Sequence, residues 1–185
     1  MEFIACAVGT PFTNAIFGQV GKACKVDGVD PRLEGEEVGV AENKALIRRF
    51  YEEIDKGNLE AMDELVAEDY INHSPPPFPG LAPGREGLKQ AFKIFWEATP
   101  GRHEIEDQIA EGDRVVTRLT AYGRHIKDLP GIAAHGQELT MMAVAIHRIA
   151  DGKVVEHWAG KDELGFMQQL GVIHLPGHAP ETVPS

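Results

Sequence analysis

The sequence has few cysteines and no long apolar run, and both shortages narrow the possible classes of protein. The two cysteines, Cys6 and Cys24, stand outside any CxxC or Cys/His spacing that binds zinc, so we expect no functional role for them. No apolar stretch approaches the roughly 20 residues that cross a bilayer. Glu2 stands where a signal peptide carries basic residues. We therefore expect a soluble, cytoplasmic protein.

Basic residues are also scarce. The chain has 18 lysines and arginines against 29 aspartates and glutamates, which gives a net charge of −11. A surface of this charge repels phosphate backbones and anionic lipids, so nucleic-acid and membrane partners are not expected. GxGxxG, Walker and GxSxG motifs are absent from the sequence, and no predicted helix carries two histidines at the i, i+4 spacing of a zincin. Nucleotide binding, serine hydrolase chemistry and a metal site are therefore not expected either.

Apolar residues first recur with a helical period and later with the period of a strand. The helical pattern predicts one helix from Ala41 that ends at Gly57, a second that follows Asn58, and a third over about residues 85 to 98. After Gly101 the period falls from about 3.6 residues to about 2. Predicted strands cover residues 70 to 73, 102 to 110, 114 to 125, 137 to 149 and 153 to 159, with tight turns at 111 to 113 and 150 to 153 and a last helix at 162 to 170.

Helices followed by a meander of antiparallel strands predict one α+β domain, with the helices on one face of the sheet. If the sheet curves strongly, it encloses a cone whose open end is a hydrophobic pocket. We expect this pocket to be lined by six aromatic and methionine side chains: Phe92, Phe95, Trp96, Tyr122, Met142 and Trp158.

The predicted domain spans residues 41 to 172 and is followed by a tail at 173 to 185 that is rich in proline and polar residues. Residues 1 to 40 show no sustained periodicity, so they form an extension that is an appendage or a docking arm. A strand at "MEFIACAV" and a poorly ordered leader are both compatible with this segment.

Four segments carry a resemblance to a known family: "ALIRRFYEEIDKGNLEAMDELVAEDYINH", "GRH" after the second long strand, "HRIADGKVVEHW" and "DELGFMQQLG". Together with the order of elements, they resemble the SnoaL-like polyketide cyclases, which belong to the nuclear transport factor 2-like group of cone-shaped α+β barrels. The resemblance implies three N-terminal helices packed on a strongly curved antiparallel sheet. It also implies an intramolecular aldol condensation that closes a ring without a metal or an organic cofactor.

The same resemblance implies an aspartate as acid/base, with histidines nearby. The aspartate falls on Asp162, and the histidine roles fall on His73, His125 and His147. Asp162 also opens the last helix, where aspartate is a favoured N-cap, so a purely structural role is the alternative, and the two roles do not exclude one another. His147 equally suits a packed core if it faces inward. The expected substrate contacts are Trp158, His125, Tyr122, Phe95, Trp96 and Met142.

Two kinds of function remain open from the sequence. One is an enzyme that acts on a small hydrophobic carbonyl compound, either a cyclase or a related isomerase or epoxide hydrolase. The other is a non-catalytic module of the same fold that binds a small ligand or dimerises. In both cases the outer face of the sheet is expected to self-associate, which predicts a homodimer or a higher homo-oligomer.

Overall fold

A computed structural model describes residues 31–174 of the chain and gives the side-chain environment from residue 39 onward. The possible strand at "MEFIACAV" and the tail after residue 174 lie outside the described residues. Within the described part, no helix is long and apolar enough to cross a membrane.

The helices are α1 (Pro31–Asp55), α2 (Met62–Leu65), α3 (Gly84–Ala98) and α4 (Glu163–Gln169), with a single 3-10 turn at Leu59–Ala61 before α2. Helix α1 begins well before the expected start at Ala41, at a proline, which fits the first turn of a helix. The second helix is shorter than expected because Val66 already begins a strand. Asn58 does not cap it through its side chain.

The described residues form five strands, β1 (Val66–Asn72), β2 (Gly101–Glu111), β3 (Arg114–Arg124), β4 (Glu138–Ala150) and β5 (Lys153–Lys161), in the order β1-β5-β4-β3-β2. The antiparallel meander of β2 to β5 is confirmed. Strand β1, however, pairs with β5 in parallel, with Asn72 opposite His157. The sheet is therefore mixed, and the expectation of a wholly antiparallel sheet was wrong for this strand.

The two predicted tight turns are confirmed by their backbone angles. Asp151 and Gly152 have φ values of 50° and 70°, and Gly112 has a φ of 54°. These left-handed conformations are the ones that Asp-Gly and glycine turns adopt in two-residue hairpins. They hold β4 against β5 and β2 against β3.

The sheet curves around the helices, and the α+β cone that the resemblance implies is confirmed. Irregularities in register between Ile105 and Asp107 and between Arg148 and Ile149 bend the meander. The concave face packs against α1 and α3, and the main core lies between them. Its buried members include Ile47, Phe50, Ile54, Met62, Leu65, Val115, Leu119 and Val154.

Side chains along each strand alternate between the concave face and the outer face. On β4, Leu139, Ala145 and His147 are buried on the concave face, whereas Met142 and Val144 are exposed on the outer face. His147 rather than Arg148 therefore points inward.

The long connection after β3 packs against the end of α3. The amides of Ile126 and Lys127 donate to the carbonyl oxygen of Ala98 at the end of α3. Leu129 is buried in a small cluster with Phe95 and Phe166. Since both phenylalanines also line the cavity described below, this connection packs behind part of the cavity wall.

Candidate active site

A cavity of about 220 Å³ lies between the concave face of the sheet and helices α1 and α3. Its helical side is aromatic, and the expected contributions of Phe92, Phe95 and Trp96 are confirmed. Its sheet side includes four alanines, whose small side chains leave space above the strands: Ala121, Ala143, Ala145 and Ala159. An aromatic wall facing a row of alanines suits a planar hydrophobic ligand.

A histidine and an aspartate form a hydrogen-bonded pair in the cavity wall. The Nδ1 atom of His103, on β2, lies 2.6 Å from Oδ1 of Asp55 at the end of α1. The backbone amide of His103 donates to the other carboxylate oxygen at 2.8 Å, which fixes the orientation of the carboxylate. Because Asp55 accepts the Nδ1 proton, neutral His103 carries its lone pair on Nε2, the nitrogen left for a ligand. This is the arrangement of an oriented general base.

Two buried tyrosines line the same cavity. Burial raises the pKa of Tyr51 far above its usual value, and the nearby Tyr70 and Asp55 raise it further. Burial likewise raises the pKa of Tyr70. Both hydroxyls therefore stay protonated at any physiological pH and remain hydrogen-bond donors. The ring of Tyr51 lies 5.0 Å from the ring of His103, centroid to centroid.

His157 lies on the concave face of β5 and is neutral. Its Nδ1 is 3.0 Å from Oδ1 of Asn72, which also accepts the amide of Ser74 at 2.9 Å, so Nδ1 is the protonated nitrogen. Burial lowers the pKa of His157 to about 4, and the positive charges of Lys161 and His73 contribute. The cavity thus has a second histidine of fixed tautomer, because Asn72 of the neighbouring parallel strand β1 accepts its Nδ1 proton.

His147 lies behind the cavity wall rather than in it. The side chain is 1% exposed, and its ring packs against Phe50, Tyr51 and His157 at centroid distances of 5.5, 5.9 and 4.9 Å. Neither ring nitrogen has a hydrogen-bond partner within residues 31–174. Burial and then the neighbouring His157 hold the pKa of His147 well below its usual value. It is a neutral core histidine without direct access to a ligand.

Asp162 is the N-cap of α4. Its Oδ1 accepts the amide of Gly165 at 3.0 Å, so the predicted capping role is confirmed. The side chain is exposed and does not line the cavity, whereas Lys161 immediately before it does. The expectation that Asp162 opens into the apolar pocket was therefore wrong. Strand β5 ends at Lys161, one residue before Asp162, and the alternation of side chains along the strand directs Lys161 into the cavity.

Three further expected site residues lie on the outer face of the sheet. Trp158 and Met142 alternate with the cavity residues of β5 and β4 and point away from the cavity. His73 stacks on Trp158 with a centroid distance of 4.5 Å, and its Nε2 lies 2.9 Å from Oε2 of Glu156. Their expected place at the pocket was wrong, because a shift of one residue along a strand reverses the face.

His125 and Tyr122 complete the predicted set. His125 is fully buried rather than at the surface, and it is not part of the cavity lining. Tyr122 does border the cavity, and the guanidinium of Arg102 lies 4.3 Å from the centre of its ring. Of the predicted substrate contacts, the structure therefore brings Phe95, Trp96 and Tyr122 together at the cavity.

The histidines that line the cavity, His103 and His157, were not selected from the sequence. His103 lies in "GRHEIED", two positions before Ile105, and this spacing places both residues on the same face of β2. That period is the local signal that His103 points inward. Nothing local pairs it with Asp55, which lies in another element. Within the described part of the chain, no three His, Cys, Asp or Glu side chains are grouped so that they could hold a metal ion.

The fold and its apolar cavity define a cone-shaped α+β protein, and comparisons identify the family. A sequence model of the SnoaL-like polyketide cyclases matches residues 45–170. The chain is 30% identical over 129 residues to aklanonic acid methyl ester cyclase DnrD of Streptomyces peucetius, which covers 68% of this chain and 88% of that protein.

Solved structures give the same result. A proposed polyketide cyclase of Bacillus cereus is 34% identical, with a TM-score of 0.61 over 72% of this chain and 83% of that chain. TsrD of Streptomyces laurentii is 28% identical, with a TM-score of 0.64 over 72% and 97% of the two chains. Because the family model matches well over half of the sequence, the chain belongs to the SnoaL-like polyketide cyclase family.

Proposed function

We propose that the protein is an enzyme that closes a carbon ring by intramolecular aldol condensation in a small, planar carbonyl compound, without a cofactor. The observation that carries this proposal is the His103–Asp55 pair in the wall of an apolar cavity. Two relatives support the type of reaction, since they are named as cyclases of aklanonic acid methyl ester and are 29% and 30% identical to this chain.

In this mechanism His103 takes a proton from a carbon that is flanked by carbonyl groups. The resulting enolate carbon attacks a second carbonyl carbon of the same molecule, and a carbon–carbon bond forms. The oxygen of that carbonyl then takes the proton from Nε2 of His103. No atom is lost in this step, so one histidine serves as both base and acid.

The role of Asp55 is to hold His103 in the tautomer that has its lone pair on Nε2, and to stabilise the imidazolium that forms. The carboxylate and the imidazole have these same roles in the Ser-His-Asp triad of serine hydrolases. Both carboxylate oxygens are engaged by His103, one through its ring and one through its backbone amide. Asp55 is therefore a positioning residue, and His103 is the proposed catalytic residue.

Negative charge develops on the carbonyl oxygens during this reaction, and hydrogen-bond donors in a dry cavity stabilise it. Tyr51 and Tyr70 remain protonated there because burial raises their pKa values. Neither hydroxyl has to release a proton for the reaction to proceed. We assign these tyrosines to binding the developing enolate oxygen.

The test is turnover with a panel of one- to four-ring aromatic compounds, each bearing a methylene group between two carbonyls and a second carbonyl within reach for ring closure. Products are identified by NMR and mass spectrometry. The proposal predicts that the wild-type protein accelerates ring closure of at least one compound and that His103→Gln loses this acceleration. If the panel binds but never cyclises, the protein is a ligand-binding module.

We also propose that two copies pair through the outer face of the sheet. Four apolar side chains on this face are exposed by 38% to 64%: Ile71, Ile109, Met142 and Val144. Trp158 lies on the same face, paired with Ile146. An apolar surface of this kind on a sheet is a common interface between protein chains.

A further inference from the structure

Lys161 contributes a positively charged side chain to the wall of the apolar cavity. It is the last residue of β5 and pairs with Ala143 on the concave face. Its side chain is only 22% exposed, and it lines the cavity together with His157 and Ala159 of the same strand. A lysine in this position places its aliphatic stem along apolar surface and its ammonium group at the rim.

The ammonium group is held only loosely by protein. Its Nζ lies 3.3 Å from Oε1 of Glu163, whose side chain is 68% exposed. Exposed ion pairs of this kind contribute little free energy, so an anion in the cavity can compete with Glu163 for the lysine. The charge also reaches into the cavity, because after burial it is the next largest cause of the lowered pKa of His157.

The other charged groups of the cavity wall are less suited to bind an anion. The carboxylate of Asp55 accepts two hydrogen bonds from His103. The guanidinium of Arg102 lies over the ring of Tyr122 and pairs with Glu104 at 3.5 Å. The side chain of Arg102 is 62% exposed, so water screens its charge, whereas that of Lys161 is 22% exposed. Lys161 is therefore the more buried of these two cations and the better placed to bind an anionic group in the cavity.

We propose that Lys161 selects a ligand that carries a free carboxylate, so that the substrate of this protein is a planar aromatic keto acid of one or two rings rather than an ester. The inference rests on the proposed function, because it takes the cavity to be the substrate site. Several relatives are named for methyl esters, which carry no charge at that group. The cavity of about 220 Å³ lies below the ~300–1,000 Å³ typical of sites for drug-sized ligands, which supports the small size.

The experiment is titration calorimetry with 2-naphthoate and its uncharged analogue methyl 2-naphthoate, two planar probes that differ at the carboxyl group. We expect the wild-type protein to bind the acid about tenfold more tightly than the ester or better, as expected for a hydrogen bond between two charged groups. Lys161→Met should lose that preference and keep its affinity for the ester. Lys93→Met, which removes an exposed lysine of α3 outside the cavity, is the matched control and should retain it.

Glu163→Gln provides a second variant that leaves Lys161 in place. It removes the competing carboxylate and should tighten binding of the acid a few-fold without changing binding of the ester. An equal affinity for acid and ester, or a preference that survives Lys161→Met, would overturn the role of Lys161 and leave the proposed function intact. Failure of both probes to bind would overturn both proposals, since the cavity would not accept planar aromatic compounds.

Discussion

The Nδ1 atom of His103 lies 2.6 Å from Oδ1 of Asp55, although the two residues are 48 positions apart in the chain. Helix α1 ends at Asp55, and β2 passes beside that end with His103 on its concave face. The same carboxylate accepts the backbone amide of His103, so its orientation follows from the position of the strand. The structure thus supplies an oriented imidazole at the wall of an apolar cavity.

Asp55→Asn should reduce kcat roughly a hundredfold or more and change KM little, because the amide no longer favours the tautomer that leaves Nε2 free. Steady-state kinetics on a compound that the wild type cyclises measures both constants. Asp107→Asn is the matched control, since Asp107 lies on β2 near the pair and does not line the cavity. A large rise in KM with kcat unchanged would show that Asp55 binds substrate instead.

Asp162→Ala should lower the free energy of unfolding by about 1 kcal/mol, because the variant loses the hydrogen bond from the amide of Gly165 to the cap. Asp162→Asn should unfold close to the wild type, since asparagine also caps helices well. Urea denaturation of both variants makes the comparison. Equal stability of all three proteins would contradict a capping role.

The buried histidines predict how stability depends on pH. The pKa of His157 falls from 6.5 in the unfolded chain to about 4 in the folded protein, so between these values the unfolded chain binds the proton and the folded protein does not. The free energy of unfolding should therefore be greatest above pH 6.5 and decline as the pH falls toward 4, by on the order of 3 kcal/mol for this group. His147 acts in the same direction.

Urea denaturation at several pH values between 7.5 and 5 measures how the free energy of unfolding changes with pH. Most carboxylates stay ionised over this range. His157→Gln, which cannot take up the proton, should show a clearly smaller decline than the wild type. His135→Gln changes an exposed histidine and should keep the wild-type slope. If the free energy of unfolding of His157→Gln declined with falling pH as steeply as that of the wild type, His157 would not be the cause of the decline.

Ala159→Leu should fill part of the cavity and weaken binding of planar ligands at least tenfold, because the row of alanines provides the space above the sheet. Calorimetry with a naphthalene-sized ligand gives the affinity, and circular dichroism checks the fold. Val144→Leu enlarges an exposed residue on the outer face and should bind ligand normally. Unchanged affinity in Ala159→Leu would place the ligand elsewhere.

Val144→Lys should shift the protein from dimer to monomer, since it puts a charge in the middle of the exposed apolar face. Size-exclusion chromatography with light scattering, at tens of micromolar protein, measures the mass directly. Lys93→Glu, on helix α3, is a control that changes charge away from this face. A monomeric wild type would contradict the proposed pairing.

The period of apolar residues was enough to predict the meander β2 to β5 and helix α3, because each depends on contacts that repeat locally along the chain. The parallel pairing of β1 with β5 depends on two segments far apart, and nothing in the short segment Val66–Asn72 specifies its partner.

The candidate site was harder to predict because it depends on which way each side chain points. Trp158 and His157 are neighbours, yet only His157 reaches the cavity. Asp162 directly follows Lys161, the last residue of β5, which points into the cavity. The family resemblance suggested a catalytic role for Asp162 but did not predict that its side chain is exposed. The pair that does form, His103 with Asp55, required the three-dimensional meeting of a helix end and a strand.

The most direct test of the central claim compares ring-closure rates of the wild type, His103→Gln and Asp162→Asn on the same cyclisable aromatic compound, after each variant is shown to bind it. We predict that His103→Gln loses roughly a hundredfold or more of the rate while it still binds, and that Asp162→Asn retains the wild-type rate. The opposite pattern, an active His103→Gln and an inactive but folded Asp162→Asn, would return the acid/base role to Asp162 and contradict the account.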